Sequence, residues 1–414
     1  MPFANLTLLT LAAAALSLAA SGVASAAPRW VGAWASAQQE PEERNALPAG
    51  ALQDTTLRQL VRTTLGGNVL RVRVSNAFGK GPLRINGVNV ARVVSPSSSA
   101  IVAGTDRPLT FAGRRQIVVP AGADYISDPV AMDVPALTTL AVSMHIAEHP
   151  AVQTGHPGSR ATSYYAPGDQ LGVTALNRPT SVDHWYQLSG VDVTGRPGAS
   201  AIAIVGDSIT DGFGVKPNTN SRWPDFLAER LQALPRTRSF AVLNLGIGGN
   251  RLLEDGLGPN ATARFERDVL MRSGVSHVIF LIGVNDLGGL TREKPASPAE
   301  HRALVDRMLA ALAQMTARAR ERGIRVIGGT ITPYGGSAYY HPTAANEADR
   351  QAVNAWIRTP GNVDAVIDFD AAMRDPKQPH RLRADFDSGD GLHPSIAGYR
   401  AMAAAVPLGL FQRR

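Results

Sequence analysis

Ala201-Ile202-Ala203-Ile204-Val205-Gly206-Asp207-Ser208-Ile209-Thr210 opens the second half of this 414-residue chain. Five apolar residues run without a polar interruption and stop at a glycine. Such a run reads as a strand buried on both faces, the kind found in a parallel sheet covered by helices. Working outward, the same rhythm returns. Strands are expected at 241–244, 277–282, 324–327 and 363–368, between helical periodicities at 223–234, 261–272, 299–322, 346–358 and 395–405. Gly323 stands where helices commonly stop. The alternation predicts an α/β fold with a parallel sheet and helices on both faces. In that architecture a site lies at the carboxyl ends of the strands.

Upstream, residues 30–188 follow a different period. Val69-Leu-Arg-Val-Arg-Val-Ser75 alternates apolar and polar, the pattern of a strand with one buried face. Residues 83–90, 116–119 and 139–145 are further strand candidates, punctuated by Gly, Pro, Asn and Ser. Many short strands with turn signals predict an all-β sandwich or jelly roll. Gly195-Arg-Pro-Gly-Ala-Ser200 reads as a linker. The expected organisation is therefore a β-domain over 28–195 and an α/β domain over 196–414. Residues 1–27 are set apart as a signal peptide: Leu6 to Ala20 is apolar and uncharged, and Ala24-Ser25-Ala26 fits a small-residue cleavage site. Its apolar run falls short of the roughly 20 residues a membrane span needs. The expected location is secreted or periplasmic, without stable membrane insertion.

Four short motifs follow strands or sit in the last loop: Gly206-Asp-Ser-Ile-Thr210, Asn244-Leu-Gly-Ile-Gly-Gly-Asn250, Gly283-Val-Asn-Asp286 and Asp390-Gly-Leu-His-Pro394. All four project from one rim of the predicted sheet. Taken singly, each is an ordinary turn or helix cap. Together they hold the parts of an acyl-transfer site. A serine hydroxyl is a weak nucleophile until a base accepts its proton. Ser208 supplies the hydroxyl. His393 suits the base role, since an ordinary histidine titrates near about pH 6.5. Asp390, three residues upstream, is placed to fix the imidazole tautomer. The oxyanion of a tetrahedral intermediate needs fixed donors, and Ser208 N–H, Gly249 N–H and the Asn285 amide are the candidates.

This order of motifs resembles the SGNH/GDSL hydrolases, in a bacterial branch with an extra N-terminal β-domain. Gly206-Asp207-Ser208 looks like that family's nucleophile block. Gly249, rather than Gly246 or Gly248, falls on the glycine of its second block, Asn285 on the asparagine of its third, and Asp390 with His393 on its last. The resemblance spans about 201–405. It implies a flavodoxin-like three-layer α/β/α domain and a carboxylic ester hydrolase working through an acyl-serine, with no cofactor and no metal.

Composition narrows the field further. There is no cysteine, which excludes thiol nucleophiles, disulfides and Cys-ligated metals. The net charge of +7 comes almost wholly from scattered arginines; lysine occurs only at 80, 216, 294 and 377. No tight basic run with aromatics suggests a nucleic-acid partner. His145 and His149 lie four apart without a third ligand at fitting spacing. Trp30 and Trp34 should share a strand face. Thr154-Gly-His-Pro-Gly158 with Tyr164 and Tyr165 is either a packed loop or a substrate wall. The loops at 210–220, 287–294 and 335–341 are polar, charged or aromatic, and favour short acyl groups on a small or polysaccharide ester. Phe213, Leu252, Leu253 and Leu257 form a modest apolar counterweight. Two alternatives stay open: a lysophospholipase or lipase acting on lipid esters, and an inert carbohydrate-binding surface protein.

Overall fold

The computed structural model describes residues 29–411, so the predicted signal peptide lies outside the described residues. Up to Thr194 the chain builds antiparallel sheet; from Ser200 it builds parallel sheet. One antiparallel sheet runs from Trp30–Ala35 through Leu188–Thr194 and Gly67–Ser75 to Asp124–Ile126 and Val130–Val134. The other centres on Thr55–Thr63, Thr138–Ile146 and Leu83–Arg92. The alternation in 69–75 does what its period requires. Leu70, Val72 and Val74 are buried, while Arg71 and Arg73 both reach Asp192 on the neighbouring strand, at 2.9 and 3.0 Å.

One expectation fails here for a clear reason. The pairing of Trp30–Ala35 shifts register between Gly32 and Trp34, leaving Ala33 as a bulge. A bulge breaks the two-residue period. Trp34 accordingly packs edge-on to Trp185 in the core, whereas Trp30 lies under the Arg71 guanidinium.

The parallel sheet contains Ser200–Gly206, Phe240–Gly246, Val275–Leu281, Arg325–Gly329 and Ala365–Ile367, the first to fifth strands in chain order. Their spatial order is second, first, third, fourth, fifth, the flavodoxin-like order. The connecting helices are α1 (Ser208–Asp211), α2 (Trp223–Gln232), α3 (Ala261–Phe265), α4 (Val284–Arg292), α5 (Pro298–Glu321), α6 (Ala344–Arg358), α7 (Phe369–Met373) and α8 (Ile396–Ala405). Besides the short turns α1 and α7, which the sequence did not predict, two differ from the sequence reading. The helix expected over 261–272 is α-helical for five residues and then widens into a π turn, with Met271 N–H on Glu266 O. Residues 284–292, read as loop, form α4. This segment contains two glycines and a threonine, so its propensity is poor, but Val284 and Leu287 are fully buried and tertiary packing decides.

In this order the chain reverses direction between the first and third strands, and the crevice at that switch point is the natural ligand site. The second strand is the sheet's edge. Its exposed backbone is not left open. The Thr64 hydroxyl, from the antiparallel half, accepts from Val242 N–H at 2.9 Å and donates to Val242 O at 3.0 Å. A further bond between the halves runs from Gly32 N–H to Ser273 O, just before the third strand. The two halves share one hydrophobic core, running from Val31 and Leu57 to Leu243 and Phe411. No helix among the described residues is long and apolar enough to cross a membrane.

Thr64→Val keeps the shape but strands the Val242 polar groups. We expect a loss of about 1–3 kcal/mol of unfolding free energy, measured by urea denaturation.

Candidate active site

The first strand ends at Gly206, and Asp207 begins a single helical turn. The Asp207 carboxylate accepts from Ile209 N–H at 3.0 Å and so caps α1. This places Ser208 at the first helical position, directly above the sheet. From the far end of the chain, the loop before α8 delivers His393. Its Nε2 is 2.8 Å from Ser208 Oγ and its Nδ1 is 2.6 Å from Asp390 Oδ2. The loop is held by its own acid: Asp390 Oδ1 also accepts from Leu392 N–H and His393 N–H, at 2.9 and 2.8 Å. Burial opposes the charge on Asp390, but the bonds from the His393 ring and these two N–H groups outweigh it. The carboxyl is held well below the usual carboxylate range.

The other two predicted residues sit on the same rim. Gly249 has φ +71°, where a side chain is strained, and a Cβ there would lie 2.6 Å from Leu257 Cδ1. Among the described residues, neither Ser208 N–H nor Gly249 N–H has a protein acceptor. Asn285, at the start of α4, donates one amide hydrogen to Asn250 O at 2.8 Å, leaving the other free. Its Oδ1 accepts from Tyr340 O–H at 2.6 Å. Burial pushes the Tyr340 hydroxyl up, so it stays a donor. Sequence reasoning treated Tyr340 as a sugar-facing aromatic; it is buried beneath Asn285. Tyr339 is the exposed one, with Arg292 over its ring.

Asp286 accepts from Leu252 N–H and Leu253 N–H at 2.8 and 3.0 Å, and burial pushes its carboxyl up to about 6. Leu252 is fully buried and lines no groove. Phe213, named in the sequence only as an apolar groove residue, stacks on the His393 ring with centroids 4.0 Å apart. The Thr154–Gly158 segment does not act with the tyrosines that follow it. Tyr164 bonds Ser97 O, whereas His156 lies against Asp211 of α1. His145 pairs with Asp54 at 2.9 Å, and His149 accepts from Leu52 N–H. Buried Arg264 and Asp211 carried no sequence signal beyond their place near a motif.

The crevice at the switch point, with a serine above it, belongs to a hydrolase domain of flavodoxin-like α/β/α topology. Residues 204–401 match the GDSL-like Lipase/Acylhydrolase family, and this part of the chain belongs to that family of hydrolases. No curated protein matches the chain. Among solved structures, a GDSL-like lipase from Bacteroides thetaiotaomicron is 22% identical, with a TM-score of 0.37, covering 50% of this chain and 85% of its own. Axe2, an acetylxylan esterase from Geobacillus stearothermophilus, is 24% identical with a TM-score of 0.38, covering 50% and 93%. TesA is 21% identical with a TM-score of 0.35, covering 50% and 96%.

Burial, with the charges of Asp286 and Asp211 adding, pushes the Asp207 carboxyl up to about 7. A group raised on folding lends stability below its unfolded value, about 3.9, and loses it as pH rises through the folded value. Asp207→Asn should therefore gain stability relative to the parent between about pH 4 and 7. Thermal midpoints of both proteins at pH 5 and pH 8 check this. A constant difference would show that Asp207 is not raised.

Proposed function

We propose that the protein hydrolyses carboxylic esters through an acyl-Ser208 intermediate. The observation that carries this reading is the unbroken relay from Ser208 Oγ through His393 to Asp390, at 2.8 and 2.6 Å. Ser208 Oγ attacks the acyl carbon while its proton passes to His393 Nε2. Asp390 accepts from Nδ1–H, which keeps Nε2 free as the base and stabilises the imidazolium that forms. The tetrahedral oxyanion faces Ser208 N–H, Gly249 N–H and the free Asn285 amide hydrogen. Collapse breaks the ester C–O bond, and the departing alcohol takes the proton from His393. Water then attacks the acyl-serine by the same route and releases the carboxylic acid.

The ester we favour has a short acyl group, on a small alcohol or a carbohydrate. Beside Asn285 opens a cleft of about 280 Å³, where Leu253, Leu290 and Leu304 alternate with Arg251, Glu254, Glu300 and Arg307. Such a mixed lining favours a short acyl group or a polar alcohol over a long chain, since each methylene gains only about 0.8 kcal/mol from burial. A lipid ester is the second reading, supported by the exposed Phe213 and Leu257. Export and the domain limits, 28–195 and 196–414, belong to this proposal too. Export rests on the N-terminal sequence alone; the limits rest on the change of sheet type between Thr194 and Ser200.

A fluorophosphonate probe should label Ser208, and folded Ser208→Ala should lose both the label and about 10⁴ or more in kcat. Near-normal turnover in that variant overturns the mechanism. Across p-nitrophenyl esters from acetate to palmitate, kcat/KM should peak between acetyl and butyryl. A continued rise beyond octanoate would move the substrate to lipid esters.

A further inference from the structure

α1 carries a second buried acid, Asp211, three residues after the nucleophile and only 2% exposed. Both of its carboxylate oxygens are engaged, and by opposite halves of the chain. Oδ2 accepts from Gly248 N–H at 3.1 Å, one residue before Gly249. Oδ1 faces His156 Nε2 at 3.0 Å, from the antiparallel half. The His156 side chain is 4% exposed and its other nitrogen, Nδ1, lies 2.8 Å from Ala37 O. Both ring nitrogens thus meet oxygens of neighbouring groups.

The segment bearing His156 is built to stay in place. Gly155 and His156 pair with Tyr186 and Trp185, and Gln39 bridges to Gly155. The imidazole stacks on Trp185, whose indole N–H donates to Leu60 O. The approach is also sterically exclusive. A Cβ on Gly158 would fall 1.8 Å from Asp211 Oδ2. The catalytic proposal gives His156, Asp211 and Gly158 nothing to do.

We propose that His156 is a positioning residue for the oxyanion hole: through Asp211 it fixes the Gly248–Gly249 segment, so the antiparallel half is a working part of the active site. This rests on the reading of Ser208 as nucleophile and Gly249 as donor. The physical reason is leverage. Gly248 and Gly249 have no side chains to anchor them, and the Gly248 N–H bond to Asp211 holds the Ile247–Gly248 peptide, one before the peptide that bears Gly249 N–H. If Asp211 loses its partner, the carboxylate is left buried with a single N–H and turns toward other donors. A displacement of about 1 Å at a catalytic group costs up to about 10² in rate.

The test uses two substitutions in the full chain. Gln at 156 keeps an N–H donor where Nε2 stands; Asn keeps one only near Nδ1. His156→Gln should hold kcat within about threefold, while His156→Asn should lower it by about 10–10² with KM little changed. Both lose the same stacked ring, so packing alone would lower them together. Equal losses, or no loss in a folded His156→Asn protein, overturn the proposal. If His156→Asn does not fold, Gly158→Ala decides. It leaves His156 in place but drives a methyl group at Asp211, and an unchanged kcat there overturns the brace. Fluorophosphonate labelling of the parent at Ser208 is read first. A parent that neither labels nor turns over any ester removes the Ser208 reading itself and the brace with it. A labelled, active parent leaves the substitutions at 156 and 158 to decide the brace alone.

Discussion

A single buried guanidinium holds the rim on which the site is built. Arg264, on α3, is completely withdrawn from solvent. It donates to Leu245 O at 2.8 Å and Gly206 O at 3.2 Å, carbonyls at the carboxyl ends of the second and first strands. It also donates to Asn250 Oδ1 at 3.1 Å and pairs with Asp268 at 3.0 Å. The two strand ends and the Asn250 segment are therefore fixed to one rigid fork, a geometry that lysine does not reproduce. Burial works against both members of the pair. For Asp268 the charges of Arg267, Arg264 and Arg272 outweigh it and keep the carboxyl ionised. Breaking such a pair from one side costs about 3–5 kcal/mol, so the rim and the fold stand or fall together.

Around Ser208 the structure gathers four carboxylates and sorts them by environment. Asp207 and Asp286 are raised by burial, and with Asp211 each accepts from backbone N–H: Ile209, Leu252 with Leu253, and Gly248. They shape the turns. Asp390 alone reaches the imidazole, and its bonds pull it in the opposite direction, so it remains charged when His393 gains a proton. Divergent environments for like groups are how acid and base roles are separated in one small volume. The sign matters for mechanism. A carboxylate that stays ionised stabilises the imidazolium, whereas one raised by burial would compete for its proton.

Much of this was readable from the residues. The apolar runs at 201–205 and 277–282 needed no tertiary information, because a strand buried on both faces leaves no choice of period. The Asp390 to His393 spacing was readable because the pair lies within one turn. What escaped was set by contacts distant in sequence. Tyr340 supports Asn285 from 55 residues away, and nothing local distinguishes it from the exposed Tyr339. His156 meets Asp211 across 55 residues and a change of sheet type. The bulge at Ala33 and the π turn after α3 each alter a period by one residue, and a periodicity argument assumes that no such residue exists. α4 was lost for the converse reason: its glycines argue against helix, and burial of Val284 and Leu287 overrides them.

The least obvious device lies above the base. Phe213 is 45% exposed, an unfavourable place for a large apolar ring, yet its backbone is tied down on both sides. Its N–H donates to Ser208 O, and its carbonyl accepts from Tyr399 O–H of α8 at 2.9 Å. The carbonyl of the proposed nucleophile, Ser208, thus sets the ring over its proposed base, His393. The ring face is electron-rich and lies 26° from the plane of the imidazole. It attracts the imidazolium more than the neutral ring, so the contact strengthens as the proton moves. A cation over an aromatic face is worth about 0.5–2 kcal/mol, at most roughly thirtyfold in rate. Loss of one oxyanion donor costs about 2.7–4 kcal/mol. In the proposed mechanism Phe213 therefore tunes a step whose main stabilisation would come from the oxyanion donors. Its exposure also leaves an apolar surface directly beside His393, which the polar loops around it do not provide.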